Sequence, residues 1–194
     1  NSEDLMRDYC FVIDPIDGTT NFVHEYYYSC ISVALFSKGE IELAAVYDPY
    51  QDEMFSAVRG AGAFLNGKPM KVADRDMAHS IVAFGTCPHM KKDMGEQSFR
   101  LAYALYSECS DVRRPGAAAL DLAHLAAGRN DIFFELLLSP WDCAAGALLV
   151  KEAGGVITNA EGKEIDFSAP SPVLAATPRV YGRFIEIAKT VLAE

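Results

Sequence analysis

The sequence predicts a layered sandwich of mixed α+β and α/β type, an antiparallel sheet followed by a three-layer α/β unit. Three observations predict it. Between residues 26 and 65, short apolar runs rich in β-branched and aromatic residues are separated by tight turns, the pattern of an antiparallel meander. Around Ala73 to Ser80 the apolar period is lost among polar residues. Beyond that point strand-like runs alternate with helix-like stretches to the end, the order of an α/β unit. The expected division is therefore residues 1–77 and residues 78–194.

In chain order, Tyr9-Cys10-Phe11-Val12-Ile13 reads as a buried strand. Pro15 lacks an N–H and fixes φ, so the strand is expected to stop after Asp14. Asp17-Gly18 makes a turn, and Thr19, Thr20 and Asn21 open a helix. Ser29–Phe36, Ile41–Tyr47, Met54–Val58 and Ala63–Leu65 are the meander strands, with Asn66-Gly67 as a hairpin turn. The second part reads as strands at Ile81–Phe84, Asp111–Arg113, Asp131–Glu135, Gly155–Thr158 and Val173–Ala176. Helices are expected at Lys92–Ser107, Ala117–Ala127, after Pro140, and at Arg179–Ala193.

A chain of 194 residues with 51% apolar and 23% charged residues can bury a sizeable core. No apolar run reaches the ~20 residues of a membrane span. The five cysteines are odd in number and form no Cys-x-x-Cys pair, which predicts reduced thiols and a cytoplasmic protein. A net charge of −10 argues against nucleic acid as a partner. The glycines at 60 and 62 lack the dinucleotide fingerprint. The four histidines lack zinc spacing.

The chemistry is concentrated in Asp14-Pro15-Ile16-Asp17-Gly18-Thr19-Thr20-Asn21-Phe22. Two carboxylates three residues apart on a rigid bend can hold a hard divalent cation such as Mg²⁺. The N–H groups beside them can hold a phosphate. Taken alone, Asp-Pro and Asp-Gly are common turn dipeptides. Pro140-Trp141-Asp142-Cys143-Ala144-Ala145-Gly146 adds a third carboxylate, Asp142, at the head of a small-residue helix, where an N-terminal cap is the ordinary reading. Gly116, Ala117 and Ala118 start another helix after a strand. Glu135 ends a strand, where an exposed strand end is an equal reading.

Together, the stretch Asp14–Phe22 and the stretch Trp141–Gly146 resemble the two signatures of the inositol monophosphatase family. Arg113-Arg114-Pro115-Gly116-Ala117-Ala118-Ala119-Leu120-Asp121-Leu122 and Gly128-Arg129 resemble the family too, in a bacterial style. The resemblance implies a sugar-phosphatase fold and a Mg²⁺-dependent phosphomonoesterase acting on a small polyol or sugar phosphate such as inositol 1-phosphate. It implies two or three Mg²⁺ ions, inhibition by Li⁺, and a homodimer. Asp14 and the Ile16 carbonyl would share the first ion, and Asp17 and Asp142 would complete the second. Gly18 and Thr19 would hold phosphate through their N–H groups, with the Thr19 hydroxyl orienting the attacking water. Gly116, Ala117 and Ala118 would touch substrate, Ala117 without the hydroxyl many relatives carry there. Glu135 would accept hydrogen bonds from the polyol, which favours a monophosphate.

Fructose 1,6-bisphosphate and histidinol phosphate remain open as substrates. Thr20-Asn21, where relatives specific for 3′-phosphoadenosine 5′-phosphate carry Lys-Glu, argues against that nucleotide. A non-catalytic protein that binds the transcription machinery is the other alternative. The family also carries a metal-binding glutamate in a preceding helical region. Nothing here aligns with it, Glu3 being too close to Asp14, so the chain is expected to be part of a longer protein or a truncated form.

Overall fold

The computed structural model describes residues 2–193. A short helix, α1 (Ser2–Leu5), precedes a six-stranded antiparallel sheet in simple sequence order. Its strands are β1 (Cys10–Asp17), β2 (Cys30–Ser37), β3 (Glu40–Asp48), β4 (Glu53–Val58), β5 (Gly62–Leu65) and β6 (Lys68–Met70). The sequence supports this order locally. Asn66 and Gly67 have φ of 48° and 75°, the two positive values that a two-residue hairpin of matching twist requires.

Two expectations for β1 are corrected. The strand does not stop at Asp14 but runs through Pro15 to Asp17, with a register shift between Asp14 and Asp17. Pro15 falls inside that irregularity, where no ladder bond is lost. Nor is the strand buried on both faces, because Phe11 and Ile13 are 63% and 52% exposed. Side chains alternate across a strand. Here only one face of the sheet meets the core, and Phe11, Ile13, Ile31, Leu43, Met54 and Val58 lie exposed on the other.

The inner face carries Cys30, Ala34, Phe36, Ala44, Val46, Phe55 and Ala57. It packs on α4 (Ala118–Ala126) and α5 (Pro140–Glu152). Both helices are apolar nearly all round, as helices enclosed between two sheets must be. They cross closely: a Cβ on Gly146 would stand 2.6 Å from the Leu122 side chain.

Beyond them lies a five-stranded mixed sheet ordered β10-β11-β9-β7-β8. Its members are β7 (Ile81–Phe84), β8 (Asp111–Arg113), β9 (Ile132–Leu138), β10 (Val156–Thr158) and β11 (Ser171–Ala176). β7 runs parallel to β8 and β9, and β11 is antiparallel to β9 and β10. Alternation again sorts the residues. Phe133, Val173 and Ala175 join the α4–α5 core, while Ile132, Phe134, Leu174 and Ala176 face α3 (Lys91–Tyr106) and α6 (Pro178–Leu192). The molecule is thus sheet, helix pair, sheet, helix pair, and residues from both sides of position 77 share the first core.

The polar stretch before β7 is tied down by an ion pair between the half-exposed Arg75 and a buried carboxylate. Asp131 is fully buried, and Arg75 Nε donates to both its oxygens at 3.0 Å. The Ile81 N–H donates to Asp131 Oδ2 at 2.9 Å and Arg75 also donates to the Gly128 carbonyl at 2.7 Å. Among the described residues, no helix is long and apolar enough to cross a membrane. The five cysteines are free.

Candidate metal and phosphate site

Asp14 and Asp17 sit at the C-terminal end of β1, and Asp142 lies in the first turn of α5. One carboxylate oxygen from each lies within 4.8 Å of the others. The bulge in β1 allows this convergence, because it turns both Asp14 and Asp17 toward α5. Asp17 is buried and accepts the Ala119 N–H at 2.7 Å, a first-turn donor of α4. The Cys30 thiol donates weakly to the same Asp17 oxygen at 3.7 Å. Asp14 accepts the Ile16 N–H at 3.0 Å. Asp142 Oδ2 accepts the Ser139 N–H at 2.9 Å: the N-cap of α5 is Ser139 rather than Asp142, which closes a capping box from the third helical position while belonging to the cluster.

Burial, followed by the carboxylates of Asp142, Asp14 and Glu135, pushes Asp17 up to about 7 even though the Ala119 N–H favours its charged form. Burial, then Asp14, pushes Asp142 up to about 6. Glu135 is likewise raised to about 6, chiefly by burial. Like charges gathered at one place shift pKa values in this direction. An oxygen-only, triply acidic donor set fits a hard divalent cation, and its chemistry favours Mg²⁺ over zinc or copper.

After Asp17 the chain turns through Gly18 (φ 82°) into α2 (Thr19–Val23). Gly18 is needed for more than its φ: a Cβ would stand 2.9 Å from the Tyr28 carbonyl. Asn21 fixes the neighbourhood by donating from Nδ2 to the carbonyls of Tyr28 (2.8 Å) and Pro115 (2.9 Å). The five residues of α2 make too short a helix for a large dipole. What it offers an anion is individual N–H groups. The Thr19 hydroxyl donates to the Ile16 carbonyl at 3.0 Å, and Ile16 is not among the residues that line the neighbouring cavity.

These residues open into a cavity of about 1200 Å³. Asp14, Asp17, Gly18, Thr19, Gly116, Ala118, Glu135 and Asp142 line it. Ala117 does not. It is 1% exposed, with its methyl against Gly18. A substrate contact through the Ala117 side chain is therefore replaced by packing. The N-terminus of α4, expected to face a ligand, gives its Ala119 N–H to Asp17 instead.

Of the opposite wall, sequence reasoning reached only Glu135 and the stretch that contains Arg114. Gly85, Thr86 and Cys87 follow β7 and line the cavity with His89, Lys91 and Arg114. Their signal was position, since ligands of open α/β sheets gather outside the C-terminal ends of parallel strands. Cys87, at φ 45°, aims its N–H at Glu135 Oε1 at 3.0 Å. Asp121 also lines the cavity, buried and bound by the Tyr28 hydroxyl at 2.7 Å.

The fold and site define a class: layered α+β proteins whose cavity is lined by a cluster of three acidic side chains. The comparisons narrow it. The model of the inositol monophosphatase family matches residues 1–193. The chain is 45% identical over 179 residues to "Nus factor SuhB" of Escherichia coli K12, a match covering 92% of this chain and 66% of that protein. Among solved structures, an inositol monophosphatase from Anabaena (Nostoc) superposes with a TM-score of 0.88 at 34% identity, over 95% of this chain and 73% of that one. The extragenic suppressor protein suhB of Bartonella henselae gives 0.88 at 39% identity, over 94% and 69%. The chain belongs to the inositol monophosphatase family, and its fold is that family's fold. It spans about two thirds of the length of the curated relatives it matches.

Proposed function

We propose that this chain carries the catalytic part of a Mg²⁺-dependent phosphomonoesterase acting on a small polyol or sugar phosphate such as inositol 1-phosphate. The observation that carries the reading is the convergence of Asp14, Asp17 and Asp142 within 4.8 Å in the lining of a cavity. Family membership supports phosphatase chemistry in general, and the acidic cluster supports a divalent cation in particular.

In this reading Asp14 and the Ile16 carbonyl would hold one cation, and Asp17 and Asp142 would hold a second. Bound Mg²⁺ would neutralise phosphate charge and acidify a coordinated water. The chain's own residues do the positioning. The N–H groups of Gly18 and Thr19 hold phosphate oxygens, with Gly116 and Ala118 offering backbone around the same space. The Thr19 hydroxyl, already beside the Ile16 carbonyl, turns from it to accept and orient the attacking water. Glu135 accepts hydrogen bonds from hydroxyls of the leaving alcohol. The same reading carries Li⁺ inhibition, a homodimer and a cytoplasmic setting.

The test is phosphate release by the full chain with Mg²⁺ and then with EDTA. The substrates are inositol 1-phosphate, fructose 1,6-bisphosphate, histidinol phosphate and 3′-phosphoadenosine 5′-phosphate. The expected result is Mg²⁺-dependent release from inositol 1-phosphate, with Asp17→Asn lowering turnover by orders of magnitude. Release that survives EDTA, or normal turnover in Asp17→Asn, overturns the reading. A second reading, a non-catalytic protein that binds the transcription machinery, is favoured by relatives named as a Nus factor. Mg²⁺ binding without release from any substrate would support it.

A further inference from the structure

The wall opposite the acidic cluster holds a second, oppositely charged pair. Arg114 and Glu135 both line the cavity, and both are held by one dipeptide. Arg114 donates to Thr86 Oγ1 at 3.0 Å, and the next residue, Cys87, donates its N–H to Glu135 Oε1 at 3.0 Å. Each charged tip lies in a notch left by a glycine. A Cβ on Gly85 would stand 1.9 Å from the Glu135 carboxylate, and one on Gly116 would stand 2.5 Å from Arg114 Nη1. Two glycines and a left-handed Cys87 thus make room for, and aim, one carboxylate and one guanidinium.

Resting on the phosphatase reading, we propose that Arg114 and Glu135 together read a vicinal diol of the leaving alcohol, and that Arg114 is the residue that sets specificity for polyol esters. A carboxylate only accepts and a guanidinium only donates. A hydroxyl can do both. One hydroxyl therefore gives its proton to Glu135 while Arg114 donates to the oxygen of its neighbour. The pair is charge-compensated, so its fit is to a neutral polyol. A second phosphate placed at Arg114 would lie beside the Glu135 carboxylate and be repelled. Thr86 is the positioning residue, since its hydroxyl is the anchor that the structure gives the guanidinium.

The experiment compares kcat/KM for inositol 1-phosphate with that for p-nitrophenyl phosphate, whose leaving group has no diol. The proteins are the full chain, Arg114→Ala, Arg114→Lys and Thr86→Val. The expected result is a tenfold to hundredfold fall in that ratio for Arg114→Ala, the range for losing a charged hydrogen bond (about 1.5–3 kcal/mol). The fall should lie mainly in KM, with partial rescue in Arg114→Lys. Thr86→Val should fall less. A ratio unchanged in Arg114→Ala overturns the proposal. So does a larger loss on fructose 1,6-bisphosphate than on inositol 1-phosphate, which would assign Arg114 to a second phosphate. A calorimetric titration with myo-inositol needs no turnover and separates the two readings. Binding weakened by Arg114→Ala supports the pair even if the wild type releases no phosphate, and equal or absent binding refutes it.

Discussion

Replacing Asp17 with Asn should make the metal-free protein more stable while removing its chemistry. Asp17 is buried, and its pKa is raised from 3.8 to about 7. A carboxyl whose folded pKa is raised binds more protons in the native state than in the unfolded one between those two values. Stability therefore falls as pH rises from about 4 to about 7. The full penalty, about 3 pKa units at 1.36 kcal/mol each, is about 4 kcal/mol and is reached by pH 8. At pH 5 less than half of it applies, and below pH 4 it falls toward zero. Asn is isosteric, and its carbonyl oxygen can keep the Ala119 N–H. The variant should thus recover most of that penalty at pH 8, raising Tm by on the order of 10 °C. Urea denaturation in EDTA at pH 3.5, 5 and 8 is the assay. A variant no more stable than wild type at pH 8, or one whose advantage does not grow with pH, would refute the account of Asp17 as a strained, self-repelling acid.

Mg²⁺ should raise Tm through the same acids. Because Asp17 and Asp142 titrate near 7 and 6, the shift at a fixed Mg²⁺ concentration should be large at pH 8 and shrink toward pH 5. A shift equal at both pH values in differential scanning calorimetry would mean that the ion binds elsewhere. Gly146→Ala should destabilise by about 1–3 kcal/mol through overpacking, because its Cβ would meet Leu122 at 2.6 Å. An unchanged urea midpoint would show that α4 and α5 separate without cost.

The legible parts of this molecule are those whose physics is local. Asp14, Asp17 and Gly18 lie within a few residues of one another, so a turn that gathers them can be read directly. The meander could be followed because its turn residues, such as Asn66-Gly67, carry their own backbone requirement. The failures are non-local. Cys10–Ile13 reads as an apolar run, yet whether Phe11 and Ile13 are covered depends on what lies against the sheet. Pro15 reads as a stop, yet a bulge accommodates it. Ala117 carries no sign in sequence that its methyl packs on Gly18, some hundred positions away. Gly85 has no local signature, because the carboxylate it admits comes from Glu135 on the neighbouring strand.

The place of β1 in its sheet has one more consequence. Two of the three clustered carboxylates ride on a strand with a single strand neighbour among the described residues, β2, whereas the third rides on a helix enclosed between two sheets. Peeling β1 from β2 disperses Asp14 and Asp17 but leaves Asp142 in place. Fraying of that strand and loss of the cluster are then one equilibrium, and an ion that needs all three ligands must draw against it. Backbone amides of β1 should exchange with solvent deuterium faster than those of α5. Adding Mg²⁺ should slow the former far more than the latter, so that the ion closes the margin of the sheet as it fills the site.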